Sequence, residues 1–380
     1  MIGGHGGNIY ELARRLGCDP AEILDLSSNV NPLGPPEGLC DRLVQQIESV
    51  SALPEVDNRG IIRCYADRLG ISADRMIAGN GTTQFIYSIP SVLRVKKALI
   101  AGPTYSDYAD ACRLQEVAYE FVLSTEPDGF RPDLDRLADA AGGADVLFIC
   151  NPNNPTGALI PGDELKRLCL RHPQVRFIVD ESYLPFVAEG ESHSLARSGI
   201  DNLLVLLSIS KIYRIPGLRV GFLVASPATI AAFARGMWPW NVNRLGQAAV
   251  NFICEAGTKL EAFVAETRTY LDGERRRFAQ RLRLIPGFKV YPSPTSFFLV
   301  LLPEGLSASE AQAALAEERI LIRDCSNFQG LSDRFIRISP KTPDANRRVA
   351  ERLADLAARQ SRPAAVSQPR PPQPTDSSLP

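Results

Sequence analysis

Three absences narrow the field before any motif is weighed. The eight cysteines (Cys18, Cys40, Cys64, Cys112, Cys150, Cys169, Cys254, Cys325) include no C-x-x-C pair. No metal site is therefore expected, and in a reducing compartment they are most simply free thiols. Charge of either sign is not in excess: 42 Lys plus Arg stand against 43 Asp plus Glu, a formal net charge of −1. That offers no global field to recruit nucleic acid or an anionic membrane. Long hydrophobic runs are missing too, and Met1 to Leu12 lack a basic-then-apolar signal segment. The expectation is a cytoplasmic protein with no nucleic-acid and no membrane partner.

What is present is an ordinary globular composition, 45% hydrophobic and 22% charged, over 380 residues. That length exceeds the usual single core, so two domains are expected. Apolar runs at 76–78, 98–101, 118–123, 146–150, 176–179 and 203–207, and the run Phe222-Leu223-Val224, read as strands. Amphipathic helices alternate with them, which implies an α/β chain with a mostly parallel, doubly wound sheet. After Trp238-Pro239-Trp240 the pattern changes. A long helical stretch over 244–282, with Gly257 as a break, precedes strands at 288–291, 297–301, 320–323 and 334–338. Helices at 309–318 and 344–358 flank them, giving a smaller α+β domain. The expected division is an N-terminal arm (1–36) contributing to the substrate site, a large domain (37–245), a small C-terminal domain (246–360) and a disordered proline-rich tail (361–380).

Polar motifs gather at the carboxyl ends of the strands, where an open parallel sheet binds ligands. They are Gly79 to Thr83, Thr104-Tyr105, Asn151 to Gly157, Asp180 to Tyr183 and Ser208 to Lys211. A glycine turn at a helix start suits a phosphate, although an ordinary turn has the same composition. A lysine at a buried strand end needs a reason, since a lone buried cation is costly. One reason is that its amine forms an imine with a carbonyl cofactor; a solvated loop is the other. Five motif-bearing strand ends on one edge of the sheet favour the cofactor.

The order Asn151-Pro152-Asn153-Asn154-Pro155-Thr156-Gly157, Asp180-Glu181-Ser182-Tyr183, Ser208-Ile209-Ser210-Lys211 and Gly217-Leu218-Arg219-Val220-Gly221 resembles the fold-type I pyridoxal phosphate enzymes, in the histidinol-phosphate aminotransferase branch. The resemblance spans about residues 5 to 355. It implies that Lys211 holds pyridoxal 5'-phosphate and carries protons, that Asp180 faces the pyridine nitrogen, and that Asn154 and Tyr183 bond the ring hydroxyl. It further implies that Tyr105 stacks on the ring and that Gly81, Thr82, Ser208, Ser210 and Arg219 bind the phosphate. The family often carries a tyrosine at Leu53 that reaches the neighbouring subunit's site; here it is absent, and Tyr65 reads more simply as a helix packing residue. A homodimer is implied by the family alone.

Within that branch the arm His5 to Asn8, the stretch Leu26 to Gly34, the segment Trp238 to Asn243 and the run Ile320 to Phe328 look like the threonine-phosphate decarboxylases of cobalamin synthesis. This implies decarboxylation of L-threonine O-3-phosphate to (R)-1-amino-2-propanol O-2-phosphate. O-phosphoserine, one methyl smaller, is a second candidate substrate, because a methyl contact discriminates by only ~1–3 kcal/mol. The resemblance assigns the substrate carboxylate to Arg337 and the substrate phosphate to Arg323, His5 and the Asn29–Asn31 arm, with Asn154 also at the substrate. Arg323 and Arg337, on different strands, are expected to act as two separated anchors. The alternative activity is histidinol-phosphate transamination, which uses the same cofactor residues. A transcriptional regulator on this fold would carry a helix-turn-helix, and none is visible.

Overall fold

The structure is a computed structural model, and it describes residues 6–360. The expected tail and His5 lie outside the described residues. The chain's strands are β1 (Leu24–Asp25), β2 (Met76–Gly79), β3 (Lys97–Gly102), β4 (Ala118–Leu123), β5 (Val146–Cys150), β6 (Arg176–Asp180), β7 (Leu203–Ser208) and β8 (Gly221–Val224), then β9 (Lys289–Val290), β10 (Phe298–Leu301), β11 (Ile320–Leu321), β12 (Arg323–Asp324) and β13 (Phe335–Ile338).

Seven of these form one sheet in the order β2-β8-β7-β6-β5-β3-β4. β8 runs against both neighbours, and β3 to β7 pair in parallel. β5 and β2 are buried at every position, and β6 at all but its first. Helices cover both faces, as an apolar parallel sheet requires. One hydrophobic core runs through this sheet and its helices. A second core is built from Phe278, Phe298, Val300, Ile336, Leu353 and their neighbours around the four-stranded sheet β12-β13-β10-β9. Leu26 of the N-terminal segment belongs to this second core, and β1 pairs in parallel with β11. The arm is thereby sewn to the C-terminal half, with Ser339 N–H donating to the Leu26 carbonyl at 2.9 Å.

One expectation about elements needs correction. The stretch 320–323 is two short strands in different sheets, because β11 pairs with β1 while β12 pairs with β13. At the joint, the Ile322 carbonyl takes the Gln312 amide at 2.8 Å instead of a strand partner. The helical stretch after residue 244 breaks at Gly257 as expected, into Arg244–Glu255 and Gly257–Arg283, with Gly257 at φ 50° opening the second helix. The helices Leu134–Ala141 and Pro227–Gly236 carried no expectation. Ser226, at the start of the second, accepts the Thr229 N–H as an N-cap.

Candidate active site

A cavity of about 210 Å³ opens at the carboxyl ends of the parallel strands. Lys211, Asp180, Tyr183, Asn154 and Tyr105 line it, as do Gly81, Thr82, Ser208, Ser210 and Arg219. Asn29, Arg323 and Arg337 complete its wall. Residues drawn from both halves of the chain therefore meet in one space.

The lysine comes from the turn after β7. Its backbone carbonyl accepts the N–H of Asn31 at 3.0 Å and of Arg214 at 3.3 Å. Arg214 in turn donates to the Asn31 and Pro32 carbonyls at 3.2 and 3.1 Å, so the arm clamps the lysine loop. Burial, with the Arg219 and Arg337 guanidiniums nearby, lowers the Lys211 pKa to about 8; Asp180 and Asp25 pull the other way. At physiological pH most of the amine is then still protonated, with a neutral minority far larger than for an ordinary lysine.

Asp180 ends β6 and is buried. Its Oδ1 accepts the Ser182 N–H at 2.9 Å and the Ser182 hydroxyl at 2.5 Å, and its Oδ2 accepts the Tyr108 hydroxyl at 3.0 Å. Burial raises its pKa, while Ser182, Tyr108 and the Lys211 charge oppose the rise. Glu181, next along, is also buried and is pushed up to about 7 by that burial; it accepts the Leu195 N–H and the Ser194 hydroxyl, each at 2.7 Å.

The turn after β5 is folded by its own asparagines. Asn151 closes onto Ile160 through a pair of bonds at 2.8 and 2.9 Å, and Asn153 bonds the Pro103 carbonyl and the Thr104 hydroxyl. These contacts present Asn154 to the cavity, where its Oδ1 accepts from Arg337 Nη1. Tyr183 packs edge-on against Phe297, and its hydroxyl accepts the Asn29 amide at 3.2 Å. Tyr105 meets Tyr108 edge-on at 5.8 Å.

At the opposite end Gly81 begins the helix Gly81–Val92 with φ 71°. A Cβ there would lie 2.5 Å from Arg219 Nη2, so only glycine admits the guanidinium beside this helix N-terminus. A Cβ on Gly221 would likewise lie 2.6 Å from the Thr82 backbone nitrogen. Ser210 donates to the Val220 carbonyl at 3.3 Å. A helix N-terminus, two hydroxyl residues and a guanidinium form a cradle suited to a phosphate.

The two arginines expected to act as widely separated anchors instead lie side by side in one sheet. Arg323 of β12 and Arg337 of β13 are direct cross-strand partners. Like charges so placed repel unless an anion lies with them. Their hydrogen-bond partners among the described residues are neutral oxygens: Asn327 Oδ1 at 2.7 Å for Arg323, Asn154 Oδ1 and the Ser27 carbonyl at 2.6 Å for Arg337. Among the described residues, none accepts from the buried Arg337 Nε. Each guanidinium also lies over a ring, Arg323 over Phe328 and Arg337 over Phe297.

Asn31 is a second correction. It lies outside the cavity wall, with its amide spent on the Ile212 carbonyl and the Thr267 hydroxyl, each at 2.8 Å, and its Oδ1 on the Leu33 N–H. It braces the lysine loop instead of reaching ligand. Tyr65 stacks on Phe222 at 4.3 Å in the core, and Leu53 is 71% exposed, so neither enters this cavity. Residues that sequence reasoning missed include Ser27, Tyr108 and Ser182. Ser27 takes the Gly7 N–H on its hydroxyl at 2.7 Å, and Gly6 lies so close that a Cβ would meet the Ser27 carbonyl at 2.5 Å. Ser182 was readable as the turn partner of Asp180 two residues away; Tyr108 carried no local signal.

The donor set fits pyridoxal phosphate: an amine of lowered pKa, a buried carboxylate near it, and a phosphate cradle on a glycine-bounded helix start. Comparison with known proteins agrees. The family model for aminotransferase class I and II matches residues 21–353. The chain is 32% identical to a threonine-phosphate decarboxylase of Salmonella typhimurium, covering 93% of this chain and 96% of that one. It is 29% identical to the adenosylcobalamin biosynthesis bifunctional protein CobDQ of Leptospira interrogans, and spans 41% of that longer protein. Histidinol-phosphate aminotransferases match as well, one from Methanococcus maripaludis at 27% over 92% of this chain and 94% of that one. Among solved structures, the L-threonine-O-3-phosphate decarboxylase of Porphyromonas gingivalis superposes with a TM-score of 0.80 at 32% identity, over 88% of this chain and 100% of that one.

Proposed function

The chain belongs to the aminotransferase class I and II family, and we propose on that footing that it decarboxylates L-threonine O-3-phosphate to (R)-1-amino-2-propanol O-2-phosphate in cobalamin synthesis. Pyridoxal 5'-phosphate is the cofactor. The observation that carries the substrate side is the Arg323–Arg337 pair, two adjoining guanidiniums with neutral partners on the wall that also holds Lys211. A substrate bearing both a carboxylate and a phosphate satisfies both.

Lys211, Asp180, Asn154, Tyr183 and Tyr105 would hold the cofactor ring, and Gly81, Thr82, Ser208, Ser210 and Arg219 its phosphate. When bound, the cofactor supplies the electron sink for the bond pair left behind as carbon dioxide departs. Arg337, fixed by Asn154 and Ser27, orients the substrate carboxylate, and that orientation selects which bond to Cα breaks. Arg323, with Asn29 and the His5 arm, holds the substrate phosphate. The Lys211 amine, with its pKa near 8, brings the proton that replaces the carboxylate on Cα.

Incubation of purified protein with pyridoxal phosphate and O-phosphothreonine, with and without 2-oxoglutarate, tests this. Carbon dioxide release without a keto acid is expected. Glutamate formation from histidinol phosphate and 2-oxoglutarate, with no carbon dioxide released from O-phosphothreonine, would move the protein to the aminotransferase reading that the 27% relative supports. Replacing Lys211 by Ala should abolish the visible cofactor absorbance.

The same reading includes a cytoplasmic homodimer. No helix among the described residues is long and apolar enough to cross a membrane. Val44, Ile47, Val50, Leu53 and Val56, every third residue, are at least half exposed, and Trp238 is 79% exposed. Trp240 N–H donates to the Val56 carbonyl at 3.1 Å, so the two apolar stretches adjoin. This concentration of exposed apolar side chains supports a subunit interface; light scattering would show a monomer if it were not one.

A further inference from the structure

Asp180 is held by a tyrosine that no motif announces. Its Oδ1 is served locally by Ser182, two residues on, as in many Asp turns. Its Oδ2 depends on Tyr108, 72 residues earlier in the chain, whose hydroxyl donates at 3.0 Å. Tyr108 is wholly buried in the helix Asp107–Leu114. Its ring stacks on Phe148 of β5 at 5.2 Å and 16° and is met edge-on by Tyr105. Packing therefore fixes the hydroxyl where it is, and Cys150, the cross-strand partner of Asp180, donates its thiol to the Pro152 carbonyl at 3.3 Å instead.

We propose that Tyr108 is a positioning residue for Asp180: its hydroxyl keeps the buried carboxylate ionised and fixes its rotation, as the pairing with a protonated ring nitrogen requires. This rests on the pyridoxal phosphate reading. Physically, one hydrogen bond to a buried charge is stronger than one between neutral groups, because the low dielectric amplifies it. Burial pushes the Asp180 pKa up, and Tyr108 is one of the few groups working against that. The groups that face Asp180 are Lys211, Cys150, Tyr105 and Tyr183, with Glu181 beside it. Glu181 and Lys211 titrate near 7 and 8, so a pH profile of the single variant is not specific to Asp180. A double-mutant cycle is.

The test compares wild type, Tyr108→Phe, Asp180→Asn and the double variant. Phenylalanine keeps the ring and its packing. The first readout is the cofactor dissociation constant by absorbance titration. The second is the unfolding midpoint of cofactor-free protein at about pH 5 and about pH 8. The Asp180 carboxyl titrates higher in the folded chain than in the unfolded one. Its burial therefore costs nothing below the ordinary carboxylate range and costs more as pH rises through the folded value. Loss of the Tyr108 donor deepens that cost. Tyr108→Phe is expected to weaken cofactor binding about tenfold and to lower the midpoint more at the higher pH. In the Asp180→Asn background it should change neither readout appreciably. An equal loss at both pH values, persisting in the Asp180→Asn background, would overturn the proposal and leave Tyr108 a packing residue. If wild type bound no pyridoxal phosphate, the functional reading would fail, and the unfolding measurements would still decide the role of the tyrosine.

Discussion

Replacing Lys211 by Met is expected to make the cofactor-free protein more stable near neutral pH. Burial, together with Arg219 and Arg337, lowers the ammonium pKa from its ordinary 10.5 to about 8. Between those two values the unfolded chain still holds its lysine proton and the folded chain has released it. Stability therefore rises with pH across that window. Below about pH 8 both states are protonated, and the folded chain bears the full cost of the buried charge. At 1.36 kcal/mol per pH unit, the gap from 10.5 to about 8 corresponds to up to about 3 kcal/mol. Methionine has a similar unbranched reach and no charge. The hydrogen bonds that anchor this residue run from Asn31 and Arg214 to its backbone carbonyl, and the substitution keeps them. Urea unfolding of both proteins at a series of pH values measures the difference. The variant should exceed wild type by up to about 3 kcal/mol near pH 7, and the excess should shrink as pH approaches about 10.5. A variant no more stable than wild type at pH 7, or an excess indifferent to pH, would refute the reasoning, because the ammonium would then be hydrated in the folded state. The expected trade is stability at rest against a reactive amine in use.

Gly81→Ala places a Cβ against Arg219 at a left-handed backbone position; it should cost ~1–3 kcal/mol in thermal unfolding and weaken cofactor binding in an absorbance titration. Glu181→Gln should flatten the pH dependence of stability. The wild-type carboxyl, raised to about 7, contributes stability below the ordinary carboxylate range that is lost as pH rises through about 7, and unfolding midpoints at about pH 5 and pH 8 report the change. Arg323→Gln should raise KM for the phosphorylated substrate by about one to two orders of magnitude with little loss of stability, because its partners are the Asn327 amide oxygen and the Phe328 ring; steady-state kinetics and thermal unfolding separate the two effects.

The cofactor side of the site was legible in the sequence because its residues lie at strand ends, and strand ends are read locally. Alternating apolar runs located β5, β6 and β7, and the parallel pairing then placed Asn154, Asp180 and Lys211 along one edge whatever the loops between them did. The substrate side depended on contacts between distant segments. Arg323 and Arg337 become partners only through the register of β12 on β13, and the preceding two residues of the same apolar run leave for another sheet. Nothing in the run itself announces that division. The family resemblance put Asn31 at the substrate phosphate, but its amide is consumed by the Ile212 carbonyl and by the Thr267 hydroxyl, 236 residues away. Tyr108 carried no expectation at all: nothing around an aromatic in a helix tells that its hydroxyl reaches Asp180. In each case the residue type was visible and the partner was not. A side chain's role is set by what satisfies its polar atoms. Those partners are local for a turn or a helix cap and remote for a wall shared by two halves of the chain. The residues that bind the common cofactor are therefore easier to read than those that choose the substrate. The adjacency of the two arginines bears on that choice, since two neighbouring guanidiniums suit a compact ligand that carries both a carboxylate and a phosphate.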